Sequence, residues 1–126
     1  MKILIIDDDK FLLNMYSVKF SEQGFEVETA ADGEEALDKF DKGLRPDIYL
    51  VDILMPRLDG FQLIEKLQEK KAINASAVVI LSNLGQKEDI DRGLSLGVDG
   101  YIIKASATPS EVVAKVMDIA KQKIHV

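Results

Sequence analysis

Hydrophobic residues fall into five short runs that alternate with longer stretches of helical character. Four of the runs are nearly continuous in apolar residues, as expected of parallel strands that are covered on both faces. In the other run, Phe25, Val27 and Thr29 alternate with glutamates, which predicts an edge strand with one more polar face. The predicted strands are residues 3–6, 25–29, 48–51, 78–81 and 98–103.

The stretches between the strands carry signals for helix ends. Asp32 and Asp59 are each followed three residues later by a glutamate or glutamine, the pattern of a helix N-cap. Thr108 is followed by Pro109 and Glu111, which together predict a capped helix start with proline in the first helical position. Glycines stand where helices are expected to end, at Gly24, Gly43 and Gly97.

Strand–helix alternation predicts the fold class. Right-handed crossovers between parallel strands would give an α/β domain with one doubly wound, five-stranded sheet and helices on both faces. With no repeat or linker, we expect a single domain over residues 1–126. The apolar residues of the first helix are expected to be core: Phe11, Leu12, Met15 and Phe20.

Composition narrows the function classes. The formal net charge is −6 and the pI is near 4.8, which argues against direct binding of nucleic acid by this chain. There is no cysteine, and no apolar run has the length of a signal peptide core or a membrane span. We therefore expect a cytoplasmic protein with no membrane contact.

Polar residues follow four of the five predicted strands directly. Asp7 and Asp8 follow the first strand, Asp52 the third, Ser82 the fourth and Lys104 the fifth. Ligands of such sheets bind beyond the carboxyl ends of the strands, where the strand order reverses. These five side chains are therefore expected to converge on one crevice.

The residue types at these positions suit phosphoryl transfer. Three carboxylates held close together would repel one another unless a cation intervened, and oxygen ligands alone favour Mg²⁺. The metal together with Lys104 would neutralise an incoming phosphoryl group, and Ser82 could hydrogen-bond one of its oxygens. A carboxylate such as that of Asp52 can act as the nucleophile and form an aspartyl phosphate.

Four motifs in this order resemble the CheY-like receiver domains of bacterial two-component response regulators. They cover residues 5–9 (Ile-Ile-Asp-Asp-Asp), residues 52–60 (Asp-Ile-Leu-Met-Pro-Arg-Leu-Asp-Gly), residues 80–82 (Ile-Leu-Ser) and residues 100–104 (Gly-Tyr-Ile-Ile-Lys). The resemblance spans nearly the whole chain. It implies a flavodoxin-like fold with strand order 2-1-3-4-5.

The same resemblance implies roles for the acidic residues. Asp52 would be the phosphoacceptor. Asp8, Asp52 and the backbone carbonyl of Leu54 would ligate Mg²⁺ directly, and Asp7 would act through a water molecule. Asp9 and Asp59 are expected to be helix caps only.

It also implies a switch. Lys104 would contact the phosphoryl group, Ser82 would shift towards it, and Tyr101 would then rotate inward. This would alter the face formed by the fourth helix, the fifth strand and the fifth helix. Taken alone, Tyr101 is either such a switch residue or a packed aromatic at the sheet edge.

The implied partners are a histidine kinase or phosphotransfer protein upstream, and a downstream protein or a separate effector domain. The chain would catalyse only its own phosphorylation and dephosphorylation. Its one histidine, His125, is expected to be solvated at the C-terminus, so the phosphoryl donor must be another molecule. A homodimer could form through the fourth helix, fifth strand and fifth helix, by family analogy alone.

The chain departs from the family pattern at two positions. Ala105 stands where family members commonly have proline, and the peptide bond before that proline is usually cis. A cis bond before any residue other than proline costs about 2.5–4 kcal/mol, so we expect the Lys104–Ala105 bond to be trans. Asn83 stands where a small residue is common, and it could restrict or orient water. Leu54 could shield the phosphoryl group, so we expect this group to be long-lived.

Two other functions compete. A haloacid-dehalogenase-like phosphatase would use Asp7 and Asp9, but it needs a hydroxyl residue at position 11, where the chain has Phe11. Alternatively, a receiver-like module could bind proteins without phosphate, and Asn83 and Ala105 are the departures that keep this open.

Overall fold

In the computed structural model, which describes residues 1–124, five strands and five α-helices alternate along the chain. His125 lies outside the described residues, so its exposure stays a prediction. The strands are β1 (Lys2–Ile6), β2 (Glu26–Ala30), β3 (Ile48–Val51), β4 (Ala77–Ser82) and β5 (Gly100–Ile103). The α-helices are α1 (Lys10–Glu22), α2 (Gly33–Asp41), α3 (Gly60–Glu69), α4 (Lys87–Ser95) and α5 (Pro109–Ile124), with a short 3₁₀ helix, η1 (Lys104–Ser106), before α5.

The five strands form one parallel sheet in the order β2-β1-β3-β4-β5. This confirms the doubly wound α/β fold that strand–helix alternation predicts. The strand with alternating glutamates, β2, lies at an edge as expected, and β5 forms the other edge. The strand order reverses beside β1, so the carboxyl ends of β1 and β3 border the crevice where such sheets bind ligands.

Both faces of the sheet are covered, which explains the apolar runs. In β1, Ile3 and Ile5 belong to a buried cluster with residues of α1 and α5. Leu4 and Ile6, which point to the opposite face, belong to a second cluster with residues of α2 and α3. Because successive side chains of a strand alternate between faces, a strand covered on both sides needs an apolar residue at nearly every position.

The predicted helix ends are present. The side chains of Asp9, Asp32 and Asp59 accept hydrogen bonds from the first-turn N–H groups of α1, α2 and α3. Thr108 and Glu111 bond reciprocally at the start of α5 as a capping box. The glycines expected beyond the helix ends have positive φ, with Gly97 at +84°.

Two predictions from the sequence were wrong. Phe11 is not core: it is 78% exposed, because Leu13, Tyr16 and Phe20 form the sheet-facing side of α1 and residue 11 points away from it. The fifth strand begins at Gly100 rather than at residue 98, because the turn at residues 96 and 97 is followed by an irregular residue and then a bend at residue 99.

Within residues 1–124, no helix combines the length and the apolar character that a membrane crossing requires.

Candidate functional site

The three predicted acidic residues meet at the carboxyl ends of β1 and β3. These strands are paired with Ile6 opposite Val51, so the residues that follow, Asp7 and Asp52, lie side by side. One carboxylate oxygen from each of Asp7, Asp8 and Asp52 lies within 4.8 Å of the others. Strand register therefore brings together residues that are far apart in the sequence.

Asp7 and Asp52 are buried, with exposed fractions of 3% and 6%, whereas Asp8 is exposed to solvent. The Oδ1 atom of Asp7 accepts a hydrogen bond of 2.9 Å from the Asp9 N–H group. The Oδ1 atom of Asp52 accepts one of 2.8 Å from the Ile53 N–H group. Each buried carboxylate therefore has one oxygen held by the backbone and one oxygen that points into the crevice.

Lys104 bridges the two oxygens that point into the crevice. Its Nζ atom lies 2.7 Å from Asp7 Oδ2 and 3.2 Å from Asp52 Oδ2. Because Lys104 directly follows β5, its long side chain reaches back over the end of β4 to the acids, and it is 11% exposed. The site thus contains one ammonium group among three carboxylates.

Burial and charge shift the acid–base properties of this group. Burial raises the pKa of the Asp52 carboxyl above its usual value, Asp7 raises it further, and Lys104 partly offsets both effects. Burial by itself would lower the pKa of Lys104, but the hydrogen bonds and charges of Asp7 and Asp52 raise it overall. Lys104 therefore stays protonated, while the Asp52 carboxylate is destabilised.

Ser82 and Tyr101 meet at the backbone of Leu84, in the loop between β4 and α4. Ser82 is fully buried, and its Oγ atom accepts a hydrogen bond of 3.3 Å from the Leu84 N–H group. The Tyr101 hydroxyl donates a hydrogen bond of 2.5 Å to the Leu84 carbonyl oxygen. The backbone of one loop residue, Leu84, thus links the Ser82 hydroxyl at the end of β4 to the Tyr101 ring on β5.

The three positions expected to tune the site lie at its rim. The Leu54 side chain is 58% exposed, and both Asn83 and Ala105 are exposed. The Lys104–Ala105 peptide bond is trans, as predicted, since residues 1–124 contain no cis bond. Asn83 Oδ1 accepts a hydrogen bond of 2.9 Å from the Ala105 N–H group, so the two departures from the family pattern contact each other.

The loop between β3 and α3, which begins with Asp52, is fixed by contacts at both of its ends. The Gly60 N–H group donates to the Ile53 carbonyl at 2.9 Å, and a Cβ atom at Gly60 would overlap the Asp52 carbonyl oxygen. Arg57 in the same loop has a positive φ of 67° and donates to Asp32 Oδ2 at 2.6 Å. The loop is therefore tied to the start of α2.

Sequence reasoning missed two features of the site. Leu84 contacts Ser82 and Tyr101 through its backbone, and no side-chain pattern signals such contacts. The bond between Asn83 and Ala105 joins residues 22 positions apart, and only the three-dimensional structure reveals that contact. The exposed Phe11, by contrast, could have been recognised from its phase relative to Leu13 and Phe20.

The acidic cluster fits a hard divalent cation. All three side chains of the cluster offer carboxylate oxygens, two of them buried and one open to solvent. Such a donor set suits Mg²⁺, which binds one or two carboxylates and keeps several waters. The group is therefore compatible with Mg²⁺ binding.

The sequence matches the response regulator receiver domain family over residues 3–117. It is 35% identical over 121 residues to the probable transcriptional regulator ycf27 of Cyanophora paradoxa, covering 96% of this chain and 48% of that protein. It is 34% identical over 123 residues to the alkaline phosphatase synthesis transcriptional regulatory protein PhoP of Bacillus subtilis, covering 96% and 49%. The chain thus spans about half the length of the curated relatives it matches.

Solved structures show the same fold. The receiver domain of the Francisella response regulator 1452 superposes with a TM-score of 0.85 at 35% identity, covering 96% of this chain and 97% of that one. The chemotaxis protein CheY4 of Vibrio cholerae superposes with a TM-score of 0.85 at 29% identity, covering 94% and 97%.

Proposed function

The chain belongs to the response regulator receiver domains of two-component systems, and we propose that it accepts a phosphoryl group on Asp52 in a Mg²⁺-dependent reaction. Receiver domains are signalling domains and not enzymes that turn over external substrates. The phosphorylated form would signal through a changed surface.

One observation carries this proposal: Lys104 Nζ lies 2.7 and 3.2 Å from the crevice-facing oxygens of Asp7 and Asp52, within the three-acid cluster. A buried carboxylate with a raised pKa is a poorly solvated and therefore reactive nucleophile. Because the Lys104 ammonium group already lies beside this carboxylate, it can stabilise the negative charge of a phosphoryl group that is transferred there.

The metal would be held by residues of the same crevice. Asp8, Asp52 and the Leu54 carbonyl would be its direct protein ligands, and Asp7 would act through a water molecule. Bound there, Mg²⁺ would supply positive charge that offsets the repulsion between the carboxylates and the phosphoryl oxygens.

The transfer step makes one bond and breaks one. An oxygen of the Asp52 carboxylate attacks the phosphorus of a phosphohistidine and forms an O–P bond. The N–P bond breaks, and the leaving imidazole keeps its electron pair and takes up a proton from solvent. Lys104 moves from its carboxylate partners to an oxygen of the transferred group, while Asp7 stays held by the Asp9 N–H group.

The signal would pass through Leu84. If Ser82 turns towards a phosphoryl oxygen, its Oγ atom leaves the Leu84 N–H group, which it now contacts at 3.3 Å. The Leu84 carbonyl is bonded to the Tyr101 hydroxyl, so the loop and the ring would shift together. Tyr101 also packs against α4, where a Cβ atom at Gly93 would lie 3.0 Å from the ring. The face formed by α4, β5 and α5 would therefore change.

The partners follow from the family. Receiver domains interact with histidine kinases and downstream effectors, and relatives of this chain are transcriptional regulators. We propose that residues 1–126 fold as one cytoplasmic receiver domain that takes its phosphoryl group from a histidine kinase or phosphotransfer protein. Its output would be a downstream protein or an effector domain, and a homodimer could form through α4, β5 and α5.

The test is intact mass after incubation with acetyl phosphate, with and without Mg²⁺. We expect one phosphoryl adduct on the wild type with Mg²⁺, and none with a chelator or in the Asp52→Asn variant. A folded wild type that binds Mg²⁺ and forms no adduct would overturn the proposal. That result would favour an interaction module that works without phosphate.

A further inference from the structure

The structure assigns a positioning role to Asn83: its hydrogen bond to the Ala105 N–H group fixes the backbone from which Lys104 reaches the site. We call this contact the Asn83–Ala105 clasp. The inference rests on the proposed function, because Lys104 is the residue that would contact the phosphoryl group.

The clasp begins where backbone pairing ends. The ladder between β4 and β5 stops at the pair formed by Ser82 and Ile103. The next residue on one strand is Asn83, and Ala105 is the second residue beyond the end of the other. A side-chain hydrogen bond of 2.9 Å therefore continues the connection between the two strands for one more step.

The Ala105 N–H group has no acceptor within η1. Ala105 lies in the first turn of η1, and the first N–H groups of a helix have no partner within it. The N-cap residue of η1, Ile103, makes no side-chain hydrogen bond to the first turn. Asn83 supplies this acceptor from 22 residues away, so the orientation of η1 depends on the loop after β4.

Lys104 is adjacent to the clasp and is held at its other end by the acids. Its Nζ atom contacts Asp7 and Asp52, and its peptide unit with Ala105 provides the clasp donor. Fixing residue 105 limits the backbone freedom of Lys104, so less conformational entropy is lost when the ammonium group must meet a phosphoryl oxygen.

The first arm of the test reads the clasp and Lys104 directly by nuclear magnetic resonance, with no phosphoryl donor present. In the wild type, we expect a downfield Ala105 amide proton that is protected from exchange. Asn83→Asp, which keeps an acceptor oxygen, should retain this signature. Asn83→Ala and Asn83→Leu should lose it and should also shift the Lys104 ammonium resonance.

The second arm measures the rate of adduct formation from acetyl phosphate at saturating Mg²⁺. Because one hydrogen bond contributes about 0.5–1.5 kcal/mol, we expect the maximal rate to fall by roughly two- to tenfold in Asn83→Ala and Asn83→Leu. In a Lys104→Met background, removing Asn83 should have no further effect. Asn74→Ala, at an exposed asparagine beyond the opposite end of β4, should match the wild type.

The outcomes separate this inference from the proposed function. A wild type that forms no adduct contradicts the proposed function, and the Lys104 resonance then decides whether Asn83 positions this residue. An unchanged Lys104 resonance in Asn83→Ala overturns the inference. The inference is also overturned if removing Asn83 lowers the rate equally in the wild type and in the Lys104→Met background. A wild-type rate in Asn83→Leu overturns it as well, because Asn83 would then act through its bulk rather than through a hydrogen bond.

Discussion

At the scale of a single residue, the burial of Asp52 opposes the negative charge that its carboxylate carries as a nucleophile. Asp52 is 6% exposed and near two other acids, and burial raises the pKa of its carboxyl above the usual value. The folded protein therefore binds this proton more tightly than the unfolded chain does. Stability from this group is present at low pH and is lost as pH rises from the ordinary pKa of 3.8 through the raised value.

Replacing Asp52 with asparagine should therefore stabilise the protein when metal is absent. At pH 7 with a chelator, we expect the free energy of unfolding of Asp52→Asn to exceed that of the wild type by roughly 0.5–2 kcal/mol, the usual size of a stabilising substitution. The difference should shrink as the pH falls towards 4, and it should also shrink when Mg²⁺ binds the wild type. Urea unfolding across this pH range measures it, and an Asp52→Asn variant less stable than the wild type at pH 7 would contradict the assignment.

Removing the hydroxyl of Tyr49 and removing that of Tyr101 should have different effects on the free energy of unfolding. Burial raises the pKa of Tyr49 to about 12, and within residues 1–124 its hydroxyl is a buried polar group without a hydrogen-bond partner. The Tyr101 hydroxyl donates to Leu84. We expect Tyr101→Phe to lose roughly 0.5–1.5 kcal/mol of stability, and Tyr49→Phe to be unchanged or more stable by about 1 kcal/mol.

Urea unfolding of both tyrosine variants provides the comparison, and each serves as the control for the other. A loss in Tyr49→Phe as large as that in Tyr101→Phe would mean that the Tyr49 hydroxyl has a partner in solution.

At the scale of elements, the strand ends position the site and the loops that follow hold it. The first residue of α3, Gly60, lies so close to the start of the loop between β3 and α3 that an added Cβ atom would also lie 2.9 Å from the Ile53 Cα atom. At Gly85, in the loop between β4 and α4, the nearest atom to an added Cβ is Ile103 Cδ1 at 3.4 Å. The two glycines thus offer a matched comparison.

Gly60→Ala should force the start of α3 away from the backbone of Asp52 and Ile53. We expect it to lower the free energy of unfolding by about 1–3 kcal/mol, as overpacking does, and to slow adduct formation from acetyl phosphate. Gly85→Ala should change stability by no more than about 0.5 kcal/mol. Thermal unfolding of both variants is the measurement, and equal effects would show that the close approach at Gly60 carries no cost.

The elements also show what the sequence can and cannot predict. Strand β1 and the cap at Asp59 were predictable because both depend on local patterns of apolar and polar residues. The bond between Lys104 and Asp7 joins residues 97 positions apart, and only the expectation that strand ends converge brought them together. The clasp from Asn83 to Ala105 was not predictable, because it depends on backbone direction beyond the last strand pair.

At the scale of the whole molecule, the excess of negative charge disfavours direct binding of DNA by this chain. The sequence carries 22 acidic and 16 basic residues, whereas DNA binding depends largely on cations that neutralise phosphates. The transcriptional regulators it matches are about twice as long, since the chain covers 48% of one and 49% of another.

We therefore predict that residues 1–126 alone do not bind a DNA duplex. Fluorescence anisotropy with a labelled duplex, at low and physiological salt, should show no salt-dependent rise with protein concentration, before or after incubation with acetyl phosphate. Binding that weakens steeply as salt increases would contradict this prediction, because such a slope reports cation–phosphate contacts.

The most direct measurement of the proposed chemistry is to locate the phosphoryl group. After reaction with acetyl phosphate and Mg²⁺, borohydride reduction converts an acyl phosphate to a stable primary alcohol, which trypsin digestion and tandem mass spectrometry can locate. The tryptic peptide of residues 43–57 contains Asp47 and Asp52, and that of residues 3–10 contains the acids after β1. We predict modification at Asp52 alone. Modification within residues 3–10 or at Asp47, or none in a protein that binds Mg²⁺, would contradict the assignment of Asp52 as the phosphoacceptor.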